Sequence, residues 1–223
     1  RHHALSGNPD GLDMAVATAR AMSLGGVRDH VGGGFHRYSV DAQWRVPHFE
    51  KMLYDQAQIA IALLETSQAS GDPFHASVAE DTLAYVLREL TAPEGGFHSA
   101  EDADSVPVED AAIPHATRLE GAFYLWSLDE VTDAVGESLA PLVIERFGLR
   151  AEGNAADPLG EFRGRNVLYV ARDIEDLAAT TGRSVDEIIR ETGFDLLIAD
   201  DVGETAPPTE GELAAIRERI DPT

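Results

Sequence analysis

Between Asp10 and Leu24 apolar residues recur at helical spacing, with Met14, Ala17, Ala21 and Leu24 on one stripe and Gly25-Gly26 as a stop. This predicts a first helix. The period breaks over Gly25 to Pro47, a glycine- and aromatic-rich stretch in which Phe35, Tyr38, Val40 and Trp44 surround Ser39 to Gln43, the pattern of a loop carrying a short hairpin. It returns from His48 to about Ala69, where Phe49, Leu53, Ala57, Ala60 and Leu64 form a stripe that ends before Gly71-Asp72-Pro73. A third helix is predicted from Pro73 to Leu90, with Leu83, Val86, Leu87 and Leu90 inward.

After Pro93 the string Gly95-Gly96-Phe97-His98 repeats Gly33-Gly34-Phe35-His36 at a separation of 62 residues. A helix, a glycine-rich loop and a helix therefore recur, which predicts stacked αα-hairpins whose loops gather at one end of the array. Beyond Ser127 short helices are expected at Leu128 to Val135, Leu139 to Phe147, Ile174 to Thr180 and Val185 to Thr192, with an apolar run at Val167 to Val170. The acidic, proline-containing stretch Asp200 to Thr209 reads as a linker, and Glu210 to Ile220 as the start of a further helix. The fold class is all-α: a partial α/α-toroid over residues 10–199 with short β-hairpins in its loops, after a lead-in over residues 1–9. A chain that starts without Met and stops at Pro222-Thr223 is expected to be a truncated piece of a larger toroid, marginally stable alone and dependent on salt.

Charge changes the picture. Lys and Arg number 17 against 40 Asp and Glu, a formal net charge of −23, which repels nucleic-acid phosphates and anionic membranes. Lys51 is the sole lysine, and acidic excess with lysine depletion suggests a salt-adapted, high-GC organism. No signal peptide and no apolar run near the roughly 20 residues of a membrane span are evident, so a cytoplasmic location is expected. With no cysteine there is no disulfide, thiolate nucleophile or cysteine-based zinc site, and no cofactor is called for.

One segment escapes the acidic bias. Residues Gly25 to Asp55 balance Arg28, Arg37, Arg45 and Lys51 against Asp29, Asp41, Glu50 and Asp55, a net of zero that points to a buried polar network or a site. If the second helix starts at His48, then His48, Lys51, Asp55 and Gln58 share a face, and Lys51 pairs with Asp55 or Glu50. A retained lysine where arginine is the rule implies a need for a compact ammonium. His36 and His48, with His30 behind them, are candidates for an acid and base flanking a substrate. Their spacing matches no helical metal motif, so no metal is assigned. The second loop brings the carboxylates Glu101, Asp102 and Asp104 beside Phe97, Phe123, Tyr124 and Trp126, residue types suited to sugar binding or hydrolysis as well as to a solvated turn.

The string running from Gly25 through Gly33-Gly34-Phe35-His36-Arg37-Tyr38 and Pro47-His48-Phe49-Glu50-Lys51 to Asp55 resembles the signature of the thioredoxin-domain-containing proteins related to spermatogenesis-associated protein twenty. Gly95 to Ser105, Gly121 to Trp126 and Phe162 to Asn166 fit the same family in the same order, so the resemblance spans roughly Asn8 to Asp173. It implies a toroid similar to those of six-hairpin glycosidases and N-acylglucosamine 2-epimerases, attached to an N-terminal thioredoxin-like domain that this sequence lacks. Catalytic candidates are then His36, His48, Lys51, Asp55 and Glu101. Candidate substrate contacts are His30, Arg37, Tyr38, Trp44, Glu50, Tyr54, Asp102, Asp104 and Tyr124. A small sugar ligand follows by analogy of fold. The rival is a scaffold that presents clients to the thioredoxin-like domain; burial of the candidates in mutual ion pairs would favour it, and convergence on one open cleft would favour chemistry.

Overall fold

In a computed structural model, His3 and residues 6–107, 110, 112–155 and 162–192 are described. The linker expected at Asp200 to Thr209 and the helix expected at Glu210 to Ile220 lie outside them. Seven helices and only two-residue strands make up the described part.

Helix α1, Pro9–Leu24, starts where the Asn8 side chain accepts the Asp10 amide and Pro sits in the first turn. Helix α2, Leu53–Ser70, ends on Gly71 in the left-handed region at φ 76°, and α3, Pro73–Glu89, is capped by Asp72. Helices α2 and α3 pack along each other, and α1 rests on α2. Short helices follow: α4, Leu128–Val135, with a Ser127/Glu130 capping box, α5, Ala140–Phe147, α6, Ile174–Thr181, and α7, Val185–Thr192.

The strands form three antiparallel pairs. β1 (Tyr38–Ser39) pairs with β2 (Pro47–His48), β3 (Lys51–Met52) with β4 (Ala100–Glu101), and β5 (Asp104–Ser105) with β6 (Leu119–Glu120). The expected hairpin around Ser39 to Gln43 is present, its turn organised by the Asp41 carboxylate, which accepts the amides of Gln43, Arg45 and Val46.

Four expectations about faces are corrected. The second helix starts at Leu53, because His48 is drawn into register with Tyr38 and Lys51 with Glu101, so the shared helical face of His48, Lys51 and Asp55 does not exist. On α1 the inward residues are Ala19, Met22 and Ser23, while Met14 is 71% exposed. On α3 Val86 and Leu90 are buried as expected, but Leu83 and Leu87 face outward. The buried line of α2 is Gln56, Ala60, Leu63 and Thr66, one step round from the stripe read in the sequence.

The main core joins Val27, Phe35, Leu63, Val78 and Ala79. Phe35 arrives there from the first glycine-rich loop, and the Gln56 side chain clamps its backbone, accepting the Phe35 amide at 2.8 Å and donating to its carbonyl at 2.6 Å. Gly34 has φ 74°, and a Cβ at that position would lie 2.5 Å from the Tyr85 ring, so only glycine lets the loop settle against α3. A second core joins Phe49, Ala103, Leu125 and Val167. Phe49 and Val167 of this second core line the candidate site.

Candidate functional site

The loop that carries Phe35 also builds a polar centre. Asp29 closes an Asx turn, its Oδ1 accepting the amides of Val31 and Gly32 at 2.9 and 2.8 Å. Its Oδ2 accepts from Lys51 Nζ at 2.8 Å, and the same ammonium donates to the Gly33 carbonyl at 2.9 Å. Lys51 is only 1% exposed. Its ammonium also lies over the rings of Tyr85 and Tyr124, 4.3 and 5.0 Å from their centroids. The expected partners, Asp55 and Glu50, are not the ones used; Asp29, 22 residues upstream, takes the charge. Burial pushes the Asp29 carboxyl up, but the Lys51 charge and hydrogen bond, helped by the Gly32 amide, overcome it and hold it below its ordinary value.

Behind the two rings, the phenols of Tyr85 and Tyr124 donate to Glu101 at 2.6 and 2.9 Å. Burial and the Glu101 carboxylate push both phenols far above their usual range, so they stay protonated donors. Asp29, Lys51, two tyrosines and Glu101 thus form one satisfied network.

On the other side of this network is a cavity of about 330 Å³, near the lower end of the size of small-molecule sites. His30, His36, Phe49, Phe123, Tyr124 and Trp126 are among its walls, with Arg28 and Asp29. Each of these two charges has a partner: Arg28 donates to Asp81 at 3.0 Å, and Asp29 holds Lys51. The two histidines are neutral. Burial, then the Arg28 charge, pushes His30 down to about 4; burial, then the Lys51 charge, pushes His36 down to about 3. Their tautomers follow from their neighbours, because a carbonyl can only accept. His36 donates from Nδ1 to Phe49 O at 3.1 Å, which leaves the lone pair on Nε2; His30 donates from Nε2 to Gly25 O at 2.9 Å, which leaves it on Nδ1. The His36 ring stands edge-on to Tyr124 at 4.6 Å.

The remaining candidates lie elsewhere. His48 is not among the lining residues; its Nδ1–H donates to Glu120 at 2.6 Å, its ring stacks on Tyr38 at 5.0 Å, and its Nε2 is 3.9 Å from Glu50. Arg37 is bound to Glu50 at 2.7 Å, Tyr54 is exposed, and Asp55 sits in the first turn of α2 with its carboxyl pushed up by burial. Trp44 packs against the main core at φ 60°, Asp102 pairs with Arg118 at 3.1 Å, and Asp104 lies on β5. So His30, His36 and Tyr124 come together, Lys51 and Glu101 support them from behind, and the other nine do not join. Asp29 and Arg28 entered the sequence reading only as charges; an aspartate followed three residues later by the glycine run Gly32 to Gly34 was the available sign of an Asx turn.

Fold and cavity define a helix-rich domain in which a buried lysine–aspartate pair supports a cavity of small-molecule size. No family model matches the sequence. The chain is similar to spermatogenesis-associated protein 20 of Homo sapiens, 46% identical over 187 residues, covering 78% of this chain and 23% of the human protein. It is likewise similar to the Mus musculus protein of that name, 44% identical over 198 residues, covering 82% of this chain and 24% of the mouse protein. An uncharacterized protein of Caenorhabditis elegans is 36% identical over 192 residues, covering 80% of this chain and 25% of its own length. The chain therefore spans about a quarter of the length of these relatives. Among the described residues no helix is long and apolar enough to cross a membrane, and no cluster of three or more His, Cys, Asp or Glu is placed to hold a metal ion.

Proposed function

We propose that this chain carries the ligand site of a carbohydrate-directed, toroid-type protein of the cytoplasm, and that the cavity beside Asp29 to His36 takes a small, uncharged, hydroxyl-bearing molecule of the sugar class. The observation that carries the reading is the pair of neutral histidines, each with one nitrogen engaged by a backbone carbonyl and the other free to accept, set among aromatic rings. Hydroxyl groups supply the donors such nitrogens lack, and the rings offer faces to the C–H side of a sugar. A net charge on the ligand fits poorly, since Asp81 already balances the Arg28 guanidinium and Lys51 the Asp29 carboxylate, while the unpartnered Arg28 Nε–H suits a neutral hydroxyl oxygen. With His48 outside the cavity, the His36/His48 pair does not flank one ligand, and His36 is held too far below neutrality to serve as an efficient base. The proposal is accordingly one of binding, with epimerase- or hydrolase-like chemistry left to groups other than this pair.

A thermal-shift panel tests it. Neutral monosaccharides and polyols, with sugar phosphates and uronic acids as charged counterparts, are added to the chain in molar salt. At a hundred times its Kd a ligand adds about 2.7 kcal/mol, or a rise of about 5–10 °C in Tm for a domain of this size. A rise with neutral sugars that is lost in His36→Ala supports the reading; a rise confined to the charged compounds, or none with any, overturns it. One observation favours the second reading, a scaffold for an attached thioredoxin-like domain: Lys51, Asp29 and Glu101 are engaged with other groups of the fold.

A further inference from the structure

The cavity changes character between its depth and its mouth. His36 is 4% exposed, and each of the two histidines has one nitrogen tied to a backbone carbonyl. The two exposed members of the wall are apolar instead, Phe123 at 66% and Val31 at 47%. An exposed aromatic residue standing alone on a surface calls for no explanation. Phe123 differs because the backbone fixes it at the edge of a cavity.

Gly121 makes the turn at φ 71°, where a Cβ would lie 2.5 Å from the Phe49 ring, and its carbonyl accepts the amides of Tyr124 and Leu125 at 2.8 and 3.1 Å. Ser105 Oγ, from β5, accepts the Phe123 amide at 2.8 Å. Tyr124 turns inward to Glu101 and Leu125 to the second core, which leaves Phe123 as the outward residue of the turn. A T-shaped contact with Tyr124, centroids 5.1 Å apart and planes at 89°, sets the tilt of its ring. The segment that supplies Ser105 also carries exposed Asp104, whose carbonyl accepts from exposed Arg118 at 3.0 Å.

Volume limits what the interior can hold. At ~30 Å³ per water, about 330 Å³ corresponds to about eleven waters, room for about one hexose ring. Any further unit of the ligand has to leave through the mouth, past Phe123.

We propose that Phe123 is a second subsite: the cavity takes the terminal ring of an oligosaccharide, and the next ring lays its C–H face on Phe123. This rests on the sugar reading of the cavity given above, and it narrows the ligand class to a disaccharide or the end of a longer glycan. A sugar brings a C–H face for the phenyl ring and hydroxyls for the polar hairpin beside it, whereas an alkyl chain brings nothing for Asp104 or Arg118.

Calorimetric titration in molar salt compares glucose, galactose and mannose with cellobiose, maltose, lactose and mannobiose, and with octyl glucoside, on the chain and on its Phe123→Ala and Phe123→Trp variants. At least one disaccharide should bind about three- to tenfold more tightly than the monosaccharide at its end, a ratio that falls to about one in Phe123→Ala and returns in Phe123→Trp. Position 123 is exposed, so neither change should disturb the core. A monosaccharide that binds while no disaccharide gains on it, or a gain that survives Phe123→Ala, overturns the second subsite and leaves the reading of the cavity standing. A larger, Phe123-dependent gain for octyl glucoside than for any disaccharide also overturns it, since the rim then takes an apolar group. Binding of no sugar, single or linked, removes the reading of the cavity and the subsite with it.

Discussion

Replacing Lys51 with methionine keeps most of the side-chain volume and removes the charge. Asp29 would keep the two amides on Oδ1, but Oδ2 and the Gly33 carbonyl would lose their donor in a site where Lys51 is 1% exposed. Breaking a buried pair by removing one partner costs about 3–5 kcal/mol. The surviving amide bonds place this case near ~3 kcal/mol, and the lost contact with two ring faces adds on the order of 1 kcal/mol. Against a total of roughly 5–15 kcal/mol for a folded domain, that is a large fraction. Urea unfolding followed by helical circular dichroism in molar salt gives the loss directly; a companion Asp29→Asn/Lys51→Met double variant should recover part of it, since no ionised carboxylate is then stranded. With Lys51 gone, burial, the largest influence on Asp29, raises its carboxyl against only the weaker opposing pull of the Gly32 amide, so the deficit of the single variant should shrink as the pH falls and Asp29 takes up a proton. Lys51→Arg should also lose stability, because a planar guanidinium overfills a space closed by Tyr85, Tyr124 and Asp29. A loss under ~1 kcal/mol in Lys51→Met, the range of exposed ion pairs, would show that this network contributes little.

The histidines predict a pH dependence. His30 and His36 titrate lower in the folded chain than the ordinary value of 6.5, so below that value the unfolded chain binds more protons and stability must fall with pH. Their contribution is fully present above pH 6.5 and is lost toward about 4 for His30 and about 3 for His36, at up to ~1.4 kcal/mol per pH unit for each; urea midpoints that do not change between pH 7 and 5 would refute it. The two repeats predict an asymmetry: Gly34→Ala drives a methyl into the Tyr85 ring and should cost more than ~3 kcal/mol, whereas Gly96→Ala meets open space and carries only the left-handed backbone strain of about 1–2 kcal/mol. Gln56→Leu should strand the Phe35 amide and carbonyl and cost about 2–5 kcal/mol; a thermal melt within a degree of the parent's would contradict the clamp.

What could be read from the sequence was largely local. The bounds of α1 and α3 and the short helices after Ser127 followed from caps, prolines and glycines that act within a turn. The start of α2 did not, because the pull of Tyr38 on His48 and of Glu101 on Lys51 spans 10 and 50 residues, and no window of helical period contains it. The same mistake in phase turned Leu83 and Leu87 inward, since a stripe of apolar residues cannot tell which neighbour is absent. The balanced charge of Gly25 to Asp55 did mark a buried polar centre, and the lone lysine did mark its cation. Its partner was hidden, because Asp29 is brought to Lys51 by a loop whose shape depends on two glycines resting against Tyr85. The aromatic run near Phe123 reached the cavity, whereas the acidic residues before it, Asp102 and Asp104, did not.

The ligand site itself is tested most directly by nuclear magnetic resonance of the chain labelled with ¹⁵N-histidine. At pH 7 His36 should report a proton on Nδ1 and His30 one on Nε2, both neutral, and titration with a neutral sugar that raises Tm should move His36 Nε2 and His30 Nδ1 while leaving His48 where it was. Protonated His30 and His36 at pH 7, or a ligand response at His48 with none at His36, would contradict the account.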